Sequence, residues 1–239
     1  ESFVGYGNLY SAQLAVTGGN TSITGKMQLN NEPIRVGFGS TYNRWASFMK
    51  PFRRDNLIAW SEYSTPVIRY YNFESNVEAE TWYGTEQQWS RQVNPRVSGR
   101  AISYWSRSSD GASYPVWKMH LTKTTETGTT APLCIEDGID PSAPMYDHWQ
   151  NWAPWARTGD VYDEGDGVGR VVYTKFAQHP NSGTYGFAPY WSHYDVSAQT
   201  ISEPEPVLDF DAGGPGLITS LVVSDRYVVW QQSPHDPMD

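Results

Sequence analysis

Hydrophobic positions along the chain come in short runs rich in valine, isoleucine, tyrosine and tryptophan. Each run is bounded by a cluster of glycine, proline, asparagine, aspartate or serine. The long stretches of three-to-four-residue spacing that mark amphipathic helices are missing. Short apolar runs separated by turn residues are typical of β-strands. The pattern therefore predicts an all-β protein built from many short strands.

Four of these runs resemble one another, at 56–60, 100–104, 170–173 and 226–230. Each ends in an aromatic residue, and the four aromatics are separated by 44, 69 and 57 residues along the chain. Repeats of this length are typical of β-propellers, in which each blade is a four-stranded sheet. A predicted strand precedes each run. In the first three units two further strands follow it, so each of these units has the content of one blade.

The predicted blades cover about 46–83, 92–136 and 153–210, with a last unit at 219–239. This last unit ends after two strands, and the two missing strands have candidates at the other end of the chain, within 8–29. We therefore predict a single domain over 1–239, a closed propeller of four blades in which the N-terminal strands complete the last blade. Such closure removes exposed sheet edges. The alternative is a ring with more blades built from two chains, in which case the protein is an oligomer.

Three segments carry a resemblance to a known family: NPRVSGRAISYWSRSSDGASYPVWKMHLT at 94–122, SLVVSDRYVVWQQSP at 220–234 and GRVVYTKF at 169–176. Each resembles the repeat of TolB-like propellers, in which a turn leads into a strand that ends in an aromatic residue. The resemblance implies a propeller fold. It implies no particular activity, because one fold carries many functions.

Composition and charge narrow the range of partners. The formal net charge is −9, whereas a nucleic-acid surface needs a basic stripe. No run approaches 18 apolar residues, so no membrane span is expected. Few lysines beside many aromatic and small polar residues favour an extracellular or periplasmic protein, although no signal peptide is seen at Glu1. The single cysteine, Cys134, lies in an apolar run and is expected to be an inert core residue.

One face of the predicted ring carries the loops that lead into each blade, at 31–44, 84–89, 137–152 and 211–217. Three tryptophans lie in or beside these loops at related positions: Trp45, Trp89 and Trp149. Flat indole rings suit the apolar faces of sugar rings, so they predict a site for a glycan or another small polar ligand. Polar neighbours that could bond the ligand are Arg44, Arg91 and Gln150. The alternative is that the tryptophans pack between blades.

Three histidines are predicted to lie on the same face: His148, His179 and His235. Converging imidazoles could bind a transition metal such as copper, or transfer protons near neutral pH. As an enzyme the protein would be a polysaccharide lyase or glycosidase, with Tyr185 or Tyr190 as a further catalytic candidate. The alternative is that these are surface histidines without a shared site. His120 and His193 lie within predicted strands and are expected to be structural.

Acidic residues recur every third position at Asp160, Asp163 and Asp166, among glycines. Oxygen-rich loops of this kind suit Ca²⁺, and a solvated acidic turn is the alternative. Signatures of serine hydrolases, nucleotide-binding loops and zinc proteases are missing from the sequence. The sequence therefore favours a binding protein, with an enzyme or a metal-binding protein as the alternative.

Overall fold

A computed structural model describes the parts of the chain that carry most of the predicted strands. The described residues are 3–7, 10–17, 20–29, 34–38, 52–61, 67–81, 89–108, 117–136, 158–178, 185–207 and 217–233. Within these ranges the protein is all-β, made of antiparallel sheets without a helix. The predicted fold class is therefore confirmed at this level.

The N-terminal part forms four strands: β1 (Phe3–Gly7), β2 (Tyr10–Thr17), β3 (Asn20–Gln28) and β4 (Ile34–Phe38). β2 and β3 form an antiparallel hairpin within the range where two strands are predicted. β1 pairs with β4, which differs from the expected loop over 31–44. The segment Ile-Arg-Val-Gly-Phe alternates apolar with other residues, the period of a strand, and this short signal is what the prediction missed.

Sheet I comprises β5 (Phe52–Arg54), β6 (Leu57–Ser61), β7 (Ile68–Asn72) and β8 (Val77–Glu80). Sheet II comprises β9 (Trp89–Ser98), β10 (Ala101–Ser108), β11 (Trp117–Lys123) and β12 (Leu133–Glu136). In both sheets the strands lie in chain order, so each is the four-stranded meander expected of one blade.

Sheet III comprises β13 (Gly159–Gly165), β14 (Val168–Gln178), β15 (Tyr185–Asp195), β16 (Thr200–Ile201) and β17 (Glu205–Pro206). Its outer edge is split, because β16 and β17 both pair with β15. Sheet IV has two strands, β18 (Leu217–Val223) and β19 (Val228–Ser233).

The first strand of sheet III includes residues that were predicted to form a loop. A strand is expected at 153–157, which lies outside the described residues, and an acidic loop is expected after it. The structure instead forms β13 from the acidic segment itself. Val161 is fully buried there, and Asp160 is buried beside it with polar partners of its own. The contacts that Arg54 and the Val223 amide make with Asp160 Oδ2 offset part of the cost of this burial, so the acidic segment can serve as an inner strand.

The turns between first and second strands share one backbone feature. Asp55, Gly99 and Asp166 occupy these turns with φ angles of 54°, 53° and 55°. Glycine adopts this left-handed conformation without strain, and aspartate tolerates it better than most residues. The repeated turn supports the sequence argument that sheets I, II and III are copies of one unit.

Apolar layers join neighbouring sheets in chain order. Sheet I packs on sheet II through residues that include Tyr70 and Tyr104. The opposite face of sheet II packs on sheet III, with Trp105 and Tyr173 in the layer. Each contact buries large aromatic groups, which is the main source of stability in such a stack.

The two ends of this stack carry one half-sheet each. The far face of sheet III packs on sheet IV through Val172 and Leu221. On the far face of sheet I, Leu29, which follows β3, is buried beside Trp60. Among the described residues, however, β2 pairs with β3 alone and β19 with β18 alone. The closure of the ring is therefore still a prediction.

Candidate functional site

The first strands of sheets I, III and IV meet at one guanidinium group. Arg54 on β5 donates from Nη1 to the Val161 carbonyl at 2.8 Å and from Nη2 to the Val223 carbonyl at 3.2 Å. Its Nη2 also lies 3.3 Å from Asp160 Oδ2. Because these partners belong to β13 and β18, a single side chain ties three sheets together.

Asp160 is the counter-charge at this meeting point. The residue is fully buried, and its Oδ2 accepts a hydrogen bond from the Val223 amide at 2.9 Å. Burial raises the pKa of the Asp160 carboxyl above its ordinary value, while the charge of Arg54 and the Val223 amide act against that rise. The carboxylate thus depends on these two partners for its place in the interior.

Sheet II contributes Arg96, which completes the convergence of the four sheets. Its guanidinium lies 4.8 Å from the centre of the Phe52 ring, and that of Arg54 lies 5.9 Å from the same ring. Burial lowers the pKa of Arg96, with the charge of Arg54 adding to the effect and that of Asp160 opposing it. We call Phe52, Arg54, Arg96 and Asp160 the hub.

Hydrogen bonds near the turns that follow the first strands hold neighbouring sheets together at this end of the stack. The Gly99 amide donates to Asp55 Oδ2 at 3.0 Å, and the Arg100 amide donates to Asp163 Oδ2 at 2.7 Å. All these groups lie where a first strand ends and its second strand begins. The beginnings of the first strands therefore lie at the opposite end of the stack, which we call the entry face.

Two of the ligand-binding candidates lie on β9, which starts at the entry face. Trp89 is the first residue of β9, and Arg91 lies two positions further along it. The other proposed ligand and metal residues lie outside the described residues: Arg44, Trp45, His148, Trp149, Gln150, His179 and His235. The aromatic site and the histidine site therefore stay predictions.

The two tyrosine candidates both lie on β15. Tyr185 begins the strand, and Tyr190 lies near its middle, where it is half-buried with Lys175 Nζ 5.3 Å from its ring centre. Burial raises the pKa of Tyr190 above its ordinary value, so the phenol stays protonated near neutral pH. A phenol in this state can donate a hydrogen bond.

The structure does not bring the three aspartates of the proposed calcium site together. Asp160 belongs to the hub, whereas Asp163 Oδ1 accepts from the amides of Gly165 and Gly167, each at 3.0 Å. Asp166 lies 2.8 Å from Lys123 Nζ, whose hydrogen bond and charge lower the pKa of this carboxyl. Across the described ranges, no group of three or more His, Cys, Asp or Glu side chains is placed to hold a metal ion. The three carboxylates join parts of the protein instead.

Two further side chains were given structural roles by the sequence. His120 lies within a strand, β11, as predicted; it is buried, stacks on the Tyr104 ring at 5.3 Å and has Nε2 2.7 Å from Ser106 Oγ. Cys134, by contrast, is exposed on the edge strand β12, which corrects the expectation of a core residue. Its neighbours Leu133 and Ile135 take the buried face, and alternation leaves the cysteine on the other.

A cavity of about 270 Å³ between sheets III and IV has no counterpart in the sequence predictions. Its lining combines Arg170, Trp191 and His193 of sheet III with Tyr227 and Val228 at the start of β19. Arg170 itself is held by Glu164 Oε1 at 2.7 Å and by the Asp225 carbonyl at 2.8 Å. The sequence feature that could have indicated this cavity is the incomplete last unit, because a two-stranded sheet cannot cover the whole face of a wider neighbouring sheet.

Comparisons with known proteins add little to this description. No family model matches the chain, and no curated protein matches it. A solved structure, the crystal structure of a nidogen/laminin complex, contains a chain that matches 95% of this one over 86% of its own length. The identity is 10% and the TM-score 0.34, a likeness that carries no inference about fold or ligand. Within the described residues no helix is long and apolar enough to cross a membrane.

Proposed function

We propose that the protein is a secreted or surface-exposed binding protein, a propeller of four blades closed by its N-terminal strands. Its entry face holds a glycan or another small polar ligand. The observation that carries the proposal is the hub, at which Arg54 of sheet I bonds carbonyl groups on the first strands of sheets III and IV. First strands of non-adjacent sheets that converge on one side chain suit a ring better than an open sandwich.

The connections at the two ends of the sheets differ in a way that suits a binding face. At the hub end, two-residue turns join the first and second strands of sheets I, II and III. We propose that the segments that precede the first strands in the sequence, 39–51, 82–88, 137–157 and 208–216, form the connections at the entry face. Long connections on a rigid scaffold are where binding residues concentrate.

The residue types in these connections favour a sugar-like ligand. Trp45 and Trp149 lie within two of them, and Trp89 lies where a third enters β9. Indole rings offer flat apolar surfaces and one hydrogen-bond donor, which complement a ring with apolar faces and hydroxyl groups at its edge. Arg44, Arg91 and Gln150 add hydrogen-bonding groups beside each tryptophan in the sequence.

We expect Trp45→Ala, Trp89→Ala and Trp149→Ala each to weaken glycan binding about tenfold or more, since each removes a stacking surface worth about 1.4 kcal/mol. The wild-type protein is first screened on a glycan array, and the affinity of each variant for the best ligand is then measured by titration calorimetry. Tyr227→Ala is the matched control, because Tyr227 is 71% exposed and lies at the hub end.

Thermal unfolding of each variant separates binding from folding. Variants that unfold at the wild-type temperature but bind more weakly support the proposal. It fails if folded tryptophan variants bind as the wild type does, or if no glycan on the array binds the wild-type protein. Weakened binding by Tyr227→Ala alone would place the ligand at the wrong end of the sheets.

A further inference from the structure

We propose that the cavity between sheets III and IV is a binding site for a small aromatic carboxylate. The carboxylate accepts hydrogen bonds from Arg170, and the ring lies against Trp191. The turn between β18 and β19 forms part of the lining, so the cavity lies at the hub end of the sheets. It is therefore a second site, separate from the glycan site proposed at the entry face.

An arginine stands on the face of sheet III where sheets I and II carry apolar residues. The residue three positions before the aromatic that ends each run is Leu57 in sheet I, Ala101 in sheet II and Arg170 in sheet III. Leu57 and Ala101 are buried in the layers against the next sheet, whereas Arg170 lines the cavity. A guanidinium is costly in an apolar layer but can bind an anion beside a cavity.

The third strand of sheet III also differs at the cavity. The residue paired with the position before each run-ending aromatic is Tyr70 in sheet I, Leu121 in sheet II and Trp191 in sheet III. Tyr70 and Leu121 are fully buried, whereas Trp191 is half-buried and lines the cavity. His193 packs edge-on against its ring, with centroids 4.9 Å apart. An indole that lines a cavity offers a flat surface to an aromatic ring.

The guanidinium of Arg170 is held in position by the protein itself. Its Nε donates to Glu164 Oε1 at 2.7 Å, and its Nη2 donates to the Asp225 carbonyl at 2.8 Å. The group also lies 5.5 Å from the centre of the Tyr162 ring. A guanidinium carries more N–H donors than these two bonds use, so donors are left for a ligand. Because the side chain is already ordered, a carboxylate binds it with less loss of entropy.

The charge of the lining favours an anion. Arg170 and Arg226 both line the cavity, and among the described residues that line it there is no aspartate or glutamate. Glu164 and Asp225, which pair with these arginines, have side chains that are 43% and 56% exposed. Solvent therefore screens the two carboxylates, which lie outside the lining. A ligand in the cavity meets positively charged donors.

The rest of the lining limits the size of the ligand. It is mostly apolar and includes Val172, Pro206, Val207, Val223 and Val228. The volume of about 270 Å³ lies just below the range of about 300–1,000 Å³ that is usual for small-molecule sites. One aromatic ring with one carboxylate suits this volume, and it matches the apolar lining, the indole and the guanidinium together.

Binding of benzoate to the full chain tests the proposal. We expect benzoate to bind about tenfold or more tightly than benzyl alcohol, which lacks the charge, and than acetate, which lacks the ring. Affinities are measured by ligand-observed NMR titration. Arg170→Gln is expected to weaken benzoate binding about tenfold and to leave benzyl alcohol binding unchanged. Trp191→Leu is expected to weaken the binding of both ring compounds.

Arg100→Gln is the matched control. Arg100 likewise bonds a carboxylate, Asp166 Oδ1 at 3.0 Å, and a carbonyl, that of Thr124 at 2.8 Å. It lies in the turn between β9 and β10 and does not line the cavity. The two variants therefore lose the same charge and the same kinds of bond. Thermal unfolding shows that each variant is folded before its affinity is compared.

The proposal is overturned if folded wild-type protein does not bind benzoate, which is also the result if the strands proposed to complete sheet IV cover the cavity. It is overturned as well if Arg170→Gln binds benzoate as the wild type does, or if Arg100→Gln weakens binding equally. Glucuronate, a saturated ring with hydroxyl groups, is a further probe. If it binds and benzoate does not, the cavity takes an acidic sugar and the aromatic assignment is wrong.

The same samples separate this inference from the proposed function. Trp89→Ala changes the entry face, so we expect it to bind benzoate as the wild type does. If benzoate binds and no glycan does, the cavity site stands and the proposed function is wrong. If a glycan binds and benzoate does not, the cavity site is wrong and the entry face stands.

Discussion

Replacing Asp160 with alanine is expected to lower the free energy of unfolding by about 3–5 kcal/mol, because removing one partner of a buried ion pair leaves the other uncompensated. Arg54, whose side chain is 23% exposed, would keep its carbonyl acceptors but lose its counter-charge. The Val223 amide would lose its acceptor as well. Both losses fall at the point where three sheets meet.

Asp160→Asn separates the contribution of the carboxylate charge to this loss of stability from the contribution of the side chain's shape. Because burial raises the pKa of the Asp160 carboxyl, the charged form is itself costly to keep in the interior. An asparagine keeps an acceptor for the Val223 amide without that cost. We therefore expect Asp160→Asn to cost less than half as much as Asp160→Ala.

Urea unfolding followed by tryptophan fluorescence gives the three free energies. Asp225→Ala is the control, since Asp225 pairs with Arg226 at the surface, where its side chain is 56% exposed. Its removal is expected to change stability by less than about 0.5 kcal/mol. Equal effects of Asp160→Ala and Asp225→Ala would contradict the role given to the hub.

Acidification should destabilise the protein through His120 by about 3 kcal/mol between pH 6.5 and pH 4. Burial lowers the pKa of this imidazole from 6.5 to about 4, and the charge of Lys118 adds to the effect. The unfolded chain therefore binds a proton over a pH range in which the folded protein does not. The stabilising contribution is complete above pH 6.5 and is lost as the pH falls towards 4.

To isolate the contribution of His120, the free energy of unfolding is measured as a function of pH in the wild type and in His120→Gln. The amide of glutamine can still bond Ser106 but does not titrate, so the variant should lose stability less steeply between pH 6.5 and 4. His193→Gln is the matched control, because it removes a histidine from an exposed position. If His120→Gln follows the wild-type slope, His120 is not the group that responds to acid.

The strands most readily predicted are those that appear as continuous apolar runs. The runs at 56–60, 100–104, 170–173 and 226–230 lie mostly within β6, β10, β14 and β19. In β6, β10 and β14 the apolar residues serve the layers on both sides of the sheet, whereas in β19 Val229 is exposed. The sequence also predicts β2 and β3 as successive strands of the last blade; they pair with each other, and their place beside β19 stays a prediction.

The acidic first strand of sheet III could not be found in this way. Asp160 lies 106 residues from Arg54 along the chain, and its burial depends on that distant partner. No local pattern shows that a carboxylate will be paired in the interior rather than solvated in a loop. The prediction that Cys134 is a core residue is wrong for a different reason. Side chains alternate along a strand, so the middle residue of a three-residue apolar run lies on the opposite face from its two neighbours.

The bonds of Arg54 have a consequence for the order of folding. Its two carbonyl acceptors lie 107 and 169 residues further along the chain, so they belong to segments that leave the ribosome long after β5. Contacts of such high sequence separation form late and slow the folding of a domain. During synthesis, sheets I and II can assemble first, while the guanidinium of Arg54 stays hydrated until β18 arrives.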